Sequence, residues 1–181
     1  MEHFGKSGVI KRFEQLDDDL LSIVGDDKRI EITIVGGSAL LMLDLVGNTR
    51  VTTDIDVMET ERLAERFLER YDMNQNVNTF KYRMPENWPD RRQKIPFQGT
   101  VLDVYAPSNE DLAILKLCAY RESDKSDLRE MILSGELDLA RLRLIINDDS
   151  ELRVNFDDEN EWELFLRHYN EIETFAQERK I

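Results

Sequence analysis

The sequence predicts a small α/β core followed by a helical C-terminal part. Short runs rich in β-branched residues at 30–35, 52–58 and 100–105 are typical of strands. Amphipathic segments stand between these runs, and the segments after Ser108 have the apolar spacing of helices. Strands that alternate with helices indicate an α/β fold, and the run of helices after the last strand indicates a helical extension.

The first half of the chain holds two of these strands. Apolar residues three and four positions apart predict a helix over 9–24, and alternation predicts a strand over 30–35. Gly36-Gly37 ends that strand, and Ser38 stands near the expected cap of a helix over 38–43. A strand at 52–58 follows, and then a helix over 61–71 that Thr60 is predicted to cap.

The second half is predicted to be mainly helical. An edge strand at 74–82 precedes a loop at 83–99, which holds three of the four prolines, and the strand at 100–105. The remaining predicted elements are helices at 109–120, 124–133, 137–146 and 159–178. We expect one compact unit, in which a core of residues 1–136 with its N-terminal helix carries a helical extension of residues 137–181.

Composition excludes several classes of protein. With 41% hydrophobic and 34% charged residues among 181, the chain is neither disordered nor fibrous. Its net charge of −14 repels phosphate backbones and anionic membranes, so a nucleotide must be met by local positive groups or bound cations. The sequence has no apolar run that could span a membrane, and its one cysteine favours a reducing compartment. We therefore expect a cytoplasmic protein.

Asp54 and Asp56 are the first candidate site. Side chains at i and i+2 of a strand leave the same face, so both carboxylates would point into one space while Ile55 points to the core. Two such carboxylates suit Mg²⁺, which prefers hard oxygen ligands. A chain with 38 acidic residues contains about eight acid-x-acid pairs by chance. Two solvated acids therefore remain the alternative, and the pair Asp17 and Asp19 is expected to carry no role.

Two further features accompany this pair. Gly36-Gly37-Ser38 lies between a strand and a helix, where backbone N–H groups can approach a phosphate, although a plain capped turn is the simpler explanation. Asp103 lies in an otherwise apolar strand, where a carboxylate is costly to bury unless it is paired or metal-bound. If that strand is half exposed, Asp103 is an ordinary surface acid.

Together these residues resemble a known pattern. Gly-Gly-Ser after a strand, then a helix, then Arg50-x-Thr52-x-Asp54-Ile55-Asp56 is similar to the signature of the nucleotidyltransferase superfamily, which has a polymerase-beta-like fold. Residues 84–92 (MPENWPDRR) resemble the P-x-x-W-x-x-R loop of a bacterial branch of that superfamily, the group called DUF6036.

The resemblance continues into the predicted helices and covers residues 30–146. The segment Glu110-Asp111-Leu112 to Lys116-Leu117, followed by Arg121-x-x-Asp124-x-x-Asp127, resembles a helical block of the same group. The toxin components of abortive-infection and type IV toxin–antitoxin systems carry a related block.

The resemblance implies a small mixed β-sheet and a Mg²⁺-dependent transfer of a nucleoside monophosphate (NMP) from a nucleoside triphosphate (NTP). In that scheme Asp54, Asp56 and Asp103 hold the metal, and Lys116 is a catalytic residue that approaches the phosphates. The nucleotide-binding residues implied are Gly36, Gly37, Ser38, Arg50, Thr52, Arg121, Asp124 and Asp127. Structural alternatives stay open. Lys116 could extend to the surface, and Arg121, Asp124 and Asp127 could form a surface ion-pair ladder.

The acceptor and the biological partners stay open as well. Residues 81–94 carry five basic and two acidic residues with two interleaved aromatics, which suits a nucleotide or a nucleic acid, although a solvated loop held by Trp88 explains them too. The resemblance favours a toxin–antitoxin or phage-defence setting with a cognate partner. The macromolecular acceptor is RNA or, as the acidic surface favours, a protein. A non-catalytic binding protein on a degenerate fold is the remaining alternative.

Overall fold

The chain forms two compact units. The structure is a computed structural model that describes residues 3–79, 81–148 and 150–179. Unit 1 combines Met1–Asn78 with Arg92–Ala106, and unit 2 combines Thr79–Arg91 with Pro107–Ile181. The predicted boundary after residue 136 falls inside unit 2, between two of its helices.

Unit 1 is a mixed five-stranded sheet with three helices. Its elements are α1 (Lys6–Val24), β1 (Ile30–Val35), α2 (Gly36–Met42), β2 (Ile55–Thr60), α3 (Arg62–Leu68), β3 (Met73–Asn74), β4 (Gln93–Lys94) and β5 (Leu102–Ala106). The strand order is β3-β2-β1-β5-β4. Strand β1 runs antiparallel to β2 and parallel to β5. The predicted α/β class and the mixed sheet are confirmed.

The two faces of this sheet differ in chemistry. Ile30, Ile32 and Ile34 of β1 point to one face and are fully buried or nearly so. The register pairs Thr33 with Tyr105 of β5, and Val35 with Asp56 of β2. Since paired residues share a face of a sheet, these side chains lie together on the opposite face, which we call the polar face.

Asp17 joins α1 to the start of β5. Only 7% of its surface is exposed, because it lies on the apolar side of the helix with Phe13 and Leu20. Its carboxylate accepts three backbone hydrogen bonds of 2.7–2.9 Å from the N–H groups of residues 100–102. A β-carbon at Gly99 would lie 2.9 Å from Asp17 Oδ1, so this close approach requires glycine. Asp17 thus has a structural role, which the sequence analysis of the pair Asp17 and Asp19 as a candidate site did not consider.

Several predicted boundaries in unit 1 shift, and two of them lie near the candidate residues. Helix α2 begins at Gly36 rather than Ser38, and its cap is the extended residue Val35. The buried Ser38 hydroxyl instead donates a 3.0 Å hydrogen bond to the Val35 carbonyl. Strand β2 begins at residue 55 rather than 52, because Thr52 forms an isolated bridge with Phe4.

The predicted edge strand at 74–82 is mostly absent. Strand β3 ends at Asn74, and short 3₁₀ turns follow at Asn76–Thr79 and Lys81–Arg83. Residue 80 of this predicted strand lies outside the described residues.

Unit 2 is helical, as predicted. Its helices are α4 (Asn109–Ala119), α5 (Glu122–Ser134), α6 (Leu139–Asp148), α7 (Ser150–Val154) and α8 (Glu159–Glu178). The short α7 was not predicted. Arg91 forms two hydrogen bonds of 2.6 and 3.0 Å to the fully buried Asp111, which ties the 84–92 segment to α4. Within the described parts of the chain, no helix has the length and apolar character needed to cross a membrane.

Candidate functional site

The glycine turn and Asp56 lie in direct contact. Gly36 has a φ of +67°, a conformation that glycine adopts without strain. A β-carbon built on Gly36 would lie 2.5 Å from Asp56 Oδ2. The Asp56 carboxylate therefore occupies the space beside the turn, and Gly36 is needed both for its backbone angle and for this contact.

The next residue of the turn lies beside two further predicted residues. A β-carbon at Gly37 would lie 3.5 Å from Arg50 Nη2 and 3.7 Å from Thr52 Oγ1. The Thr52 hydroxyl donates a 2.9 Å hydrogen bond to the Asp54 carbonyl, which fixes the bend before β2. The structure thus places Asp56 beside Gly36, and Arg50 and Thr52 beside Gly37, the next residue of the turn.

Asp54 is positioned by a residue that the sequence analysis missed. It lies in the bend before β2, not inside the strand, while Ile55 is fully buried as predicted. Asn74 Nδ2 donates a 2.9 Å hydrogen bond to Asp54 Oδ2, and the β2–β3 register pairs Asn74 with Asp56. Asn74 therefore holds Asp54 on the polar face with Asp56. Its only sequence signal was its place in the predicted edge strand.

The structure does not bring Asp103 to this pair. Asp103 is paired in register with Glu31, four positions along β1 from Val35, the register partner of Asp56. Four residues of strand span roughly 13 Å, too far for carboxylates that share a metal site. Asp103 instead forms ion pairs of 2.7 Å with Arg29 and with Lys94.

These ion pairs decide the protonation of Asp103. Burial by itself would raise the pKa of its carboxyl group, but hydrogen bonds from Arg29 and Lys94 outweigh burial. The pKa of Asp103 therefore lies below its ordinary value. The sequence analysis expected a buried carboxylate here to be paired or metal-bound. Arg29 and Lys94 are the groups that pair with it.

Lys116 lies between two buried carboxylates of unit 2. Its Nζ donates hydrogen bonds of 2.7 Å to Asp124 and 2.8 Å to Asp127. The three side chains are 2–12% exposed, so neither a surface lysine nor a surface ladder describes them. Asp124 also accepts a hydrogen bond from the Arg121 backbone N–H. The cluster clamps α4 to α5, and Arg121 caps α5 with its side chain exposed.

The donor set in unit 1 fits a magnesium ion of a particular kind. Among the described residues, no three His, Cys, Asp or Glu side chains are grouped to hold a metal. Mg²⁺ rarely uses such a cage, since it keeps waters and binds one or two carboxylates together with substrate phosphates. Asp54 and Asp56, on one face beside the glycine turn, are donors of that type.

Comparison with known proteins identifies a family. The family model described as a nucleotidyltransferase of unknown function (DUF6036) matches residues 11–177. The chain belongs to this nucleotidyltransferase family. The matched range begins within α1 and ends within α8, so it includes most of both units of the DUF6036 protein. Searches of curated proteins and of solved structures found no match.

Proposed function

We propose that this DUF6036 protein is a Mg²⁺-dependent nucleotidyltransferase that moves an NMP from an NTP to a hydroxyl group of a macromolecule. The observation that carries the proposal is the contact of Asp56 with the Gly36 turn, with Asp54 held beside it by Asn74. Membership of a nucleotidyltransferase family supports the same reaction class.

Each residue of the cluster has a task in this reaction. Asp54 and Asp56 would hold Mg²⁺, which neutralises phosphate charge during transfer. The backbone N–H groups at Gly37 and the side chains of Arg50 and Thr52 would orient the triphosphate. The acceptor hydroxyl oxygen would bond to the α-phosphorus and lose its proton to water, while the bond from the α-phosphorus to the β-phosphate oxygen breaks and pyrophosphate leaves.

The remaining predicted residues have other tasks in this proposal. Asp103 anchors Arg29 and Lys94, and Ser38 uses its hydroxyl inside the turn. Lys116 holds Asp124 and Asp127, so its approach to phosphate stays a prediction. The metal site of the proposal therefore rests on Asp54 and Asp56 alone.

The acceptor we favour is a protein hydroxyl. A net charge of −14 repels RNA, whereas a protein partner with a basic surface would be attracted. A toxin–antitoxin or phage-defence setting, with the chain modifying its cognate partner, is consistent with the resemblance of the helical block.

The test is transfer of label from each of the four NTPs, labelled at the α-phosphate, into total cell RNA and total cell protein with Mg²⁺. The wild type should label protein, and Asp54→Ala/Asp56→Ala should reduce incorporation to background. Asp26→Ala/Asp27→Ala removes two exposed carboxylates from the turn after α1 and should leave incorporation unchanged. Label in RNA would change the acceptor, and no label in either fraction would contradict the enzyme and favour a binding protein.

A further inference from the structure

The polar face of the unit 1 sheet carries a second cluster of charged residues, on the side of β1 away from Asp56. Arg29, Arg92 and Lys94 lie there with the acids Glu31 and Asp103. Arg92 and Lys94 belong to the basic segment 81–94, which the sequence analysis associated with nucleotides or nucleic acids.

Two of these three cations form short ion pairs with one carboxylate. Arg29 donates to both carboxylate oxygens of Asp103, at 2.7 and 3.1 Å, and also to the carbonyl groups of Gly99 and Thr100. Lys94 forms its own 2.7 Å ion pair with Asp103. The ion pairs of Arg29 and Lys94 are thus with the same buried carboxylate, which indicates that both side chains have a structural role.

Arg92 is held much more loosely. Its guanidinium donates to Glu31 at 3.3 Å and to the Thr33 hydroxyl at 3.5 Å, and it lies 4.8 Å from the centre of the Tyr105 ring. Charge-assisted hydrogen bonds are usually about 2.7–2.9 Å. The Glu31 side chain is 47% exposed, so solvent weakens this ion pair. A stronger anion could displace Glu31 at little cost.

The position of Arg92 relates it to Asp56. Thr33 is two residues from Val35 on the same face of β1, and Val35 is opposite Asp56. The guanidinium also contacts Glu31, four residues from Val35, and lies over Tyr105 of β5. Two to four residues of strand and one to two strand spacings place it roughly 8–16 Å from the Asp56 carboxylate. A triphosphate that the carboxylates would hold at one end through Mg²⁺ spans an interval of this order, so its other end would meet the guanidinium.

We propose that Arg92 binds the triphosphate of the NTP on the polar face, opposite the carboxylates of Asp54 and Asp56, and that Glu31 holds its guanidinium in place until the nucleotide arrives. This inference rests on the proposed function, since it assigns a phosphate-binding residue to the same site. Tyr105 keeps the guanidinium over the sheet, and the phosphate replaces Glu31 as its anion.

The test is the affinity of the full chain for ATP, GTP, CTP and UTP in the presence of Mg²⁺, measured by calorimetry. Arg92→Ala and Arg92→Gln should weaken binding of the preferred NTP by about tenfold to a hundredfold, because a charged hydrogen bond is lost. Arg92→Lys should keep part of the affinity. The same variants should change affinity for the matching nucleoside, which has no phosphate, by less than about twofold. Arg66→Gln, an exposed arginine of α3, is the matched control and should bind like wild type.

Glu31 gives the sharper readout. Glu31→Gln should strengthen NTP binding several-fold, because it frees Arg92. The control is Glu59→Gln, which removes the charge of an exposed residue that is paired with Thr33 on β2. It measures the general repulsion between an acidic residue and the NTP, and it should strengthen binding less than Glu31→Gln does. A purely structural Arg92 would give no gain for Glu31→Gln beyond that control.

The outcomes separate this inference from the proposed function. If Asp56→Asn abolishes NTP binding while Arg92→Ala and Arg92→Gln bind within twofold of wild type, Arg92 is not a phosphate ligand and the proposed function stands. If the wild type binds no NTP with Mg²⁺, both fail. Should Arg92→Ala lower the thermal midpoint, Arg92→Gln decides in its place.

Discussion

The Asp56 carboxylate lies against Gly36, and its Oδ2 atom is only 2.5 Å from the position that a β-carbon of Gly36 would take. The two residues are 20 apart in sequence and belong to different elements, yet a side chain at position 36 would require the Asp56 carboxylate to move. The β1–β2 register, which pairs Val35 with Asp56, brings the glycine turn to this carboxylate. The turn therefore lies directly beside one of the two proposed metal ligands.

Gly36→Ala should separate backbone strain from loss of the site. The added methyl group would displace Asp56, so the transfer rate should fall about a hundredfold, as misplacement of a reacting group by about 1 Å can do. Gly25→Ala is the control, because Gly25 also has a positive φ of 70° but no atom within 4 Å of its β-carbon. Both variants should lose about 1–3 kcal/mol of unfolding free energy, and only Gly36→Ala should lose activity. Equal activities would show that Asp56 can move without consequence.

Asp17→Ala should be among the most destabilising single changes in unit 1. It would leave three backbone N–H groups at the start of β5 without their acceptor. Each buried unsatisfied donor costs about 1–3 kcal/mol, so urea unfolding should show a loss of at least about 3 kcal/mol. The exposed neighbour Asp18 is the control, and Asp18→Ala should change stability by less than about 0.5 kcal/mol. A similar small loss for both variants would mean that water replaces the carboxylate.

Local pattern was enough to predict most of the fold. Strand β1 and helix α8 were predicted at their observed bounds, because alternation and helical spacing are properties of short segments. The short strands β3 and β4 were not predicted at their bounds, since two-residue strands exist only through pairing with β2 and β5. Their formation depends on tertiary contacts that no local pattern encodes.

The candidate site was predicted in part for the same reason. The Gly36 turn and Asp56 follow from motifs, but Asn74 was missed because its role depends on the β2–β3 register. Asp103 was placed with the metal ligands because a buried acid needs a partner, and the sequence could not show that Arg29 and Lys94 supply it. The sequence shows which residues carry charge, whereas the register of the strands decides which of their side chains come into contact.

Lys116→Met tests whether the lysine cluster of unit 2 is a clamp. The change would leave Asp124 and Asp127 buried without a cation, which costs about 3–5 kcal/mol when one partner of a buried ion pair is removed. Lys125→Met is the control, since Lys125 pairs with the exposed Glu122 and should contribute less than about 1 kcal/mol. Asp124→Asn/Asp127→Asn in the Lys116→Met background should recover part of the loss. A loss below about 1 kcal/mol for Lys116→Met would exclude the clamp.

Asp103→Asn should destabilise the chain in a pH-dependent manner. The pKa of Asp103 is lowered in the folded protein from its ordinary value of 3.8, because Arg29 and Lys94 stabilise the ionised carboxylate. A group of this kind contributes stability above its unfolded pKa, and the contribution disappears as pH falls through the lower folded pKa. The difference in unfolding free energy between wild type and Asp103→Asn should therefore be about 1–3 kcal/mol and constant from pH 7 to about pH 5. This difference should shrink as the pH is lowered further.

Urea unfolding at each pH measures the difference in unfolding free energy. The control is Asp26→Asn, which changes an exposed acid and should show almost no difference at any pH. A difference that stays constant down to pH 3, or that grows there, would mean that the ionised carboxylate is not what stabilises this part of the sheet.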